Sequence, residues 1–557
     1  MNNMNPLLKC DYYKTEHYKQ YPDNITKLYS NFTPRKSRIA GIDKVVFFGL
    51  QHFILEYLIK DFNENFFYLN EENRQNIRNK VIREYSKHIK LDSYKHIYDL
   101  FDLGYLPIEI KSLEEGTLCP IGVPCFTITN THPDFAWLVN YLETLISCML
   151  WQPITSATIA YEYKKILNKY ALETTGSDEG VQWQAHDFSM RGMSSLESAV
   201  LSGMGHLTSF TGTDVIPAIY QLEKSYDATG LIGASVPATE HSVECMNAQG
   251  TMEGEYEHTL RLLKLYPIGI ISKVSDTTDL WSYITKVLPK CKTEILARDG
   301  KLVIRPDSGD PVDIICGYNL MTIDQLEEFY YSLEYRYNTD NIAIEKDGKY
   351  YKAFIDEWSD GGIRDFGTDL DEEISSSELK GVIELLWDVF GGIVNEQGYK
   401  VLDSHIGAIY GDSITMDRAI QICERLKAKG FSTTNIVLGI GSYTYQYNTR
   451  DTFGFAMKAT YGEITHKQER DGGINFGEYT EEIIEHREIF KDPITDDGIK
   501  KSKKGLLQVR YKSLTNEIIC NDQQSWKQEK EGLLQIVFKN GKLTRTTTLE
   551  EIRNKLK

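Results

Sequence analysis

Five short segments of this chain place acids, cations and glycines at spacings that suit the binding of anions and hydroxyls. In IRPDSGDP, at 304–311, Arg305 and Asp307 leave the end of one apolar run, and Ser308-Gly309 permits a tight turn behind them. A guanidinium can pair bidentately with phosphate, and a carboxylate can hold ribose hydroxyls or waters on Mg²⁺. The plainer alternative is a surface ion pair that closes the turn. In AIYGDS, at 408–413, Asp412 repeats the arrangement, with Gly411 allowing close approach. Two acids at consecutive run ends suit a diol better than one. In NIVLGIGS, at 435–442, glycines ahead of Ser442 let backbone N–H groups approach an anion, and a following helix adds its dipole. That pattern is common in turns. Arg450, Lys458, Lys491, Lys500, Lys501, Lys503 and Lys504 follow it, although the KKSKK stretch reads equally well as solvated surface. In SVPATEHS, His241 stands at a run end after Glu240. A lone histidine is commonly structural, and only this position makes it a candidate. In HDFSMRG, Asp187, Phe188 and Arg191 form an aromatic–cation cluster able to cover one face of a flat ring, unless Phe188 is simply core packing.

Such residues need a scaffold that delivers them to one place. From about residue 180, short apolar runs recur and end in turn at 186–188, 212–214, 239–241, 275–276, 305–307, 411–412 and 439–442, with helix-like stretches between most of them. Repeated strand, polar end and helix predict a parallel α/β architecture, and in a parallel barrel function gathers where the strands end. Seven ends favour an irregular barrel. An open doubly wound sheet is the competing arrangement on strand pattern alone. The first third predicts short strands at 28–32 and 45–49, a helix at 53–63, strands within 107–115 and 117–130, and a mostly buried helix at 137–151. Residues 318–399 are acidic and helix-rich, with a hairpin at 345–354, and read as an insertion outside the pocket. The last hundred residues alternate like antiparallel strands, with a turn at Asn540-Gly541. The expected division is therefore 1–175 with 447–557 as a mixed β-sheet domain, and 176–446 as the barrel carrying the insertion.

Bulk properties narrow the chemistry. The 557 residues are 41% hydrophobic and 25% charged, an ordinary globular composition. A net charge of −18 repels polyanions, which argues against nonspecific nucleic-acid binding. Any phosphate must then meet a local cluster of cations. Nine scattered cysteines without metal-ligand spacing fit reduced thiols and a cytoplasmic location. No run approaches the ~20 apolar residues that span a bilayer.

In order along the chain, DYYKTEHYKQYP (11–22), LPIEIKSLEEG (106–116), HDFSMRGMSSLESA (186–199), FTGTD (210–214), SVPATEHS (235–242), VSDTTD (274–279), IRPDSGDP (304–311), YGDS (410–413), GIGS (439–442), TRD (449–451), FKDP (490–493), KKSKKG (500–505) and VFKNGK (537–542) resemble the nicotinamide phosphoribosyltransferase family. The resemblance implies a homodimer with two active sites at its interface, and transfer of the phosphoribosyl group of phosphoribosyl pyrophosphate to nicotinamide. It implies that Phe188 and the partner subunit's Tyr13 sandwich the pyridine ring. Asp214 would accept from the carboxamide, with Arg305, Ser235 and Ser275 lining the same pocket. Asp307 and Asp412 would hold ribose hydroxyls. Gly411, Gly441 and Ser442 would approach phosphates, which Arg35, Arg191, Arg450, Lys458, Lys491 and Lys500 would bind. His241 matches a histidine that the family phosphorylates with ATP. Mg²⁺ would come with the pyrophosphate, with no ligand directly from the protein.

Three positions depart from the family pattern. Ala456 replaces a serine near the phosphate site, Ser442 replaces the second glycine of the phosphate loop, and Gly407 replaces an arginine before YGDS. Nicotinate phosphoribosyltransferase is the nearest rival reading. Against it, a second carboxylate beside Asp214 in a dry site would cost several kcal/mol. A catalytically silent nucleotide-binding or signalling protein of the same fold is a further alternative, opposed by the joint presence of His241, Arg305, Asp307 and Asp412.

Overall fold

A computed structural model describes residues 4–68, 73–332, 342–357, 363–411, 413–471, 478–491 and 502–557. Near the N-terminus, β1 (Ile25–Thr33), β2 (Ile108–Ser112) and β3 (Phe126–Asn130) begin an antiparallel sheet. Their alternation is clear: Leu28, Phe32, Ile108, Ile110, Phe126 and Ile128 are buried in one apolar core. The strand expected at 45–49 is cut to Lys44–Val46, because Gly49 turns at φ 100° into the helix that follows. The helix expected at 137–151 is a short helix, Ala136–Tyr141, followed by one running from Glu143 to Thr175 and stopping at a left-handed Gly176.

Six parallel strands follow: β4 (Ala185–Asp187), β5 (Gly212–Thr213), β6 (Ile268–Val274), β7 (Asp299–Arg305), β8 (Ile406–Tyr410) and β9 (Ile436–Ile440). They lie side by side in the order β5-β4-β9-β8-β7-β6. The two edges do not stay open. Ala234 bridges Gly212 on β5 and Ala238 bridges Ser272 on β6, both in parallel, so the extended stretch 234–239 completes a ring. The competition between barrel and open sheet is thus resolved in favour of the barrel, and the described residues of the run ends emerge on one rim.

The chain then returns to the first sheet with β10 (Ala456–Asp471), β11 (Glu478–Glu488), β12 (Gln535–Lys539) and β13 (Lys542–Leu543), giving the order β11-β10-β1-β3-β2-β12-β13. The β12–β13 turn has Asn540 and Gly541 both at positive φ, as the sequence predicted. The long helix Glu143–Thr175 ties the two parts together: Ile146, Leu150 and Ile154 pack in the sheet-side core, and Ala160, Tyr163 and Leu167 in the barrel core. Within 318–399, four strands form a satellite sheet with small apolar clusters of its own. The hairpin there turns at Asp347-Gly348. The helix Ser376–Phe390 differs: Val382, Ile383, Leu385 and Leu386 are buried in the barrel core, so this part of the segment is wall and not appendage.

Candidate active site

Strand alternation builds the site. On β7, Leu302 and Ile304 pack into the apolar core shared with the helices, which turns Arg305 toward the rim. The guanidinium donates from Nη2 to the Thr239 carbonyl at 2.8 Å, and its backbone exchanges hydrogen bonds with Ser275. Burial pulls its pKa below the usual arginine range. At the end of β5, Asp214 receives the His186 imidazole Nε2 on Oδ1 at 3.0 Å. Partial burial pushes its carboxyl up, but hydrogen bonds from His186 and Ser235 and the nearby Arg305 outweigh that and hold it below the usual aspartate range. Phe188 follows β4 and is half-buried, its ring 4.5 Å from that of His186. Asp187 does not join it. That side chain is fully buried and accepts from the Ser189 N–H, so the expected cluster reduces to Phe188 and the exposed Arg191.

The next sector of the rim carries acids and a histidine. His241 opens the helix His241–Ala248 and lies 3.2 Å through Nε2 from Asp276 Oδ1. The other Asp276 oxygen accepts the Asp307 backbone N–H at 2.9 Å. Asp276 was missed as a site residue in the sequence, although the run-end logic that selected Asp307 applies to it equally. His186, the partner of Asp214, was missed for the same reason. Gly411 follows β8, and a Cβ there would press into Asp307 Oδ1. Gly441 and Ser442 follow β9, with Gly192 packed against Ser442 closely enough that a side chain at 192 would collide with it. Asp412 and Lys500 lie outside the described residues.

A second, basic site sits on the antiparallel sheet. The register Asn31↔Lys458 and Thr33↔Ala456 puts these four residues on one face, over a cavity of about 910 Å³. Arg35, Arg450, Lys491 and Lys503 line it, together with Lys36, which the sequence did not single out. Burial lowers the Lys458 pKa, Glu143 works against that, and Arg35, Lys14 and Arg450 add to the lowering; Glu143 and Asp522 stand with the cations on the cavity wall. Tyr13 lines an adjoining hollow that shares Glu143 and Arg450 with it. Lys14 and Glu143 pair at 2.6 Å beside Tyr13. Neither cavity is lined by any residue of the barrel rim. Within this chain the expected binding residues therefore fall into two groups, Tyr13 lying with the basic cavity and Gly411, Gly441 and Ser442 with the rim.

Comparison with known proteins adds an independent line. The nicotinate phosphoribosyltransferase (NAPRTase) family matches residues 183–470, and the N-terminal domain of nicotinamide phosphoribosyltransferase matches residues 5–110. A nicotinamide phosphoribosyltransferase from Acinetobacter baylyi is 43% identical over 99% of this chain and 97% of its own. One from Mycoplasma pneumoniae is 34% identical over 82% of this chain and 88% of its own, and one from Xanthomonas campestris pv. campestris is 28% identical over 99% and 97%.

Proposed function

The chain belongs to the nicotinamide phosphoribosyltransferase family, and on that premise we propose how its residues divide the work of joining nicotinamide to phosphoribosyl pyrophosphate. The products are nicotinamide mononucleotide, for NAD salvage, and pyrophosphate. The observation that carries the assignment of roles is the shared rim of Phe188, Asp214, Arg305 and Asp307. Phe188 stacks on one face of the pyridine. Asp214, its Oδ1 already engaged by His186, offers its other oxygen to the carboxamide N–H. An ionised acid there favours the amide over nicotinate. Arg305, Ser235 and Ser275 complete the pocket, and Asp307 and Asp412 take the ribose hydroxyls.

The bond from C1 of the ribose to the pyrophosphate oxygen breaks, and the pyridine nitrogen forms the new bond with its lone pair. No general base is needed, because that nitrogen carries no proton. Positioning and charge stabilisation therefore supply the rate. Arg35, Arg191, Arg450, Lys458, Lys491 and Lys500 would bind the phosphates, with Gly411, Gly441 and Ser442 approaching through their backbones. Mg²⁺ carried by the pyrophosphate would neutralise its growing charge.

The basic cavity would meet a barrel rim across a homodimer, with Tyr13 of the partner subunit covering the second face of the ring. Such a pairing accounts for two incomplete groups in one protomer. For His241, Asp276 would keep a proton on the nitrogen facing it and leave the other lone pair to accept the γ-phosphoryl of ATP, releasing ADP. Nine free thiols suit a reducing compartment such as the cytoplasm, and no described helix is long and apolar enough to cross a membrane.

The test is to incubate the protein with phosphoribosyl pyrophosphate, Mg²⁺ and either nicotinamide or nicotinate, with and without ATP, and to identify the mononucleotide. Nicotinamide mononucleotide formation, raised by ATP, is expected. Turnover of nicotinate alone would overturn the substrate assignment.

A further inference from the structure

Behind the rim lies a group of buried charges that the transfer reaction does not use. Elsewhere in the barrel, strand residues facing the helices are apolar: Leu302 and Ile304, Ala408 and Tyr410, Leu438 and Ile440. On β6 the same alternation places Ile271 and then Lys273 there, and Lys273 is fully buried. Its Nζ meets Glu255 Oε2 at 2.6 Å, Glu244 Oε2 at 2.8 Å and the Val274 carbonyl at 3.3 Å, and stands 4.5 Å from the Tyr283 ring centroid. His258 Nδ1 lies 2.9 Å from that same Glu244 oxygen, and Thr278 donates to the other Glu255 oxygen at 3.3 Å. Burial works to lower the Lys273 pKa; Tyr283, Glu244 and Glu255 outweigh it and raise it above the usual lysine range.

The location matters more than the charge. Lys273 lies three residues before Asp276 on the same strand and loop, Glu244 three residues after His241 on the same helix, and Glu255 and His258 on the helix behind, Met252–Leu265. One ammonium thus joins the three elements that place His241 and Asp276. His241 needs such help, because its side chain is 46% exposed and its own packing does little to hold it. Well-packed apolar residues would fasten a helix as firmly as buried ions, but directional hydrogen bonds also fix its register.

We propose that Lys273, with Glu244 and Glu255, is a positioning group that sets His241 against Asp276 and thereby makes its imidazole competent to accept a phosphoryl group from ATP. The proposal rests on His241 being that acceptor. Nicotinamide transfer uses the neighbouring Ser275 and Asp307, whose hydrogen bonds run to the Lys273 backbone carbonyl and the Asp276 carboxylate and not to the buried charges.

Lys273→Met leaves two buried carboxylates without their ammonium and threatens the fold, so the deciding variant also carries Glu244→Gln and Glu255→Gln, which removes all three charges at nearly constant volume. Four quantities are measured on the full chain: thermal unfolding, ATP-independent transfer, acid-labile phosphohistidine formed with ATP, and the ¹⁵N resonance of the His241 imidazole, assigned with His241→Gln. The triple variant is expected to keep ATP-independent transfer within roughly threefold, to lose phosphohistidine formation by about tenfold or more, and to shift the His241 resonance. Lys273→Arg, which restores the cation, should recover part of the lost phosphorylation. Wild-type phosphorylation with an unmoved resonance in the triple variant would overturn the proposal. If the native protein forms no phosphohistidine, the acceptor role of His241 fails; the imidazole resonance still decides whether the charges position it.

Discussion

At the scale of single residues, we propose that Asp214 carries the choice of substrate. Burial opposes its charge, but hydrogen bonds from His186 and Ser235 hold the carboxyl below the usual aspartate range, so it would repel a nicotinate carboxylate. Asp214→Asn should lower the nicotinamide-to-nicotinate ratio of kcat/KM about tenfold or more, equivalent to about 1.4 kcal/mol. An unchanged ratio in competition assays would remove Asp214 from the specificity argument. His241→Ala should abolish ATP stimulation while ATP-independent transfer falls much less, measured side by side; equal losses would contradict the division of labour. Gly411→Ala tests the ribose site, because the added Cβ presses into Asp307 Oδ1. A fall in kcat/KM of about tenfold with the melting temperature moved by no more than about 4 °C is expected. Most of these residues were legible in the sequence because each ends an apolar run. Asp276 and His186 also end apolar runs but were not singled out, since a run end by itself does not show which side chain holds another.

At the scale of elements, the short helices of the antiparallel-sheet region contain histidines that burial keeps neutral. His52 on Leu50–Phe53 and His96 on Lys95–Leu103 are each lowered from 6.5 to about 4, in both cases by desolvation first. The unfolded chain therefore binds more protons than the folded one across that window, and stability falls as the pH drops from 6.5 toward 4. Each histidine should remove up to about 1.4 kcal/mol per pH unit there. Urea unfolding at pH 7.5, 6 and 5 measures the slope, and His96→Phe, stacked on Tyr18, should reduce it. A variant with the wild-type slope would show that His96 is not neutral in the fold. Element types were easier to read than element lengths. The helix Glu143–Thr175 outran its expected end because it is buried against both cores in succession, and Gly176 stops it only where the second contact ends.

At the scale of the whole molecule, the separation of the basic cavity from the barrel rim is the dominant fact. If two protomers complete each other's sites, Tyr13→Ala and Arg305→Ala should each be nearly inactive alone. Co-expressed heterodimers would hold one native site, giving roughly a quarter of wild-type activity in a random mixture. No recovery on mixing, in proteins that sediment as dimers, would mean that each protomer carries its whole site.

The sequence alone determined the repeating strand, polar end and helix order and the residues at each run end, because alternation and turn chemistry are local and survive in a linear reading. Only the tertiary structure decided that the sheet closes, through two single bridges at Ala234 and Ala238 that leave almost no pattern in the chain. It also decided that Asp276 joins His241 to Asp307, and that a lysine lies buried among glutamates behind them. Those pairings join residues 18 to 35 positions apart, and a contact of that range is fixed by packing and not by spacing.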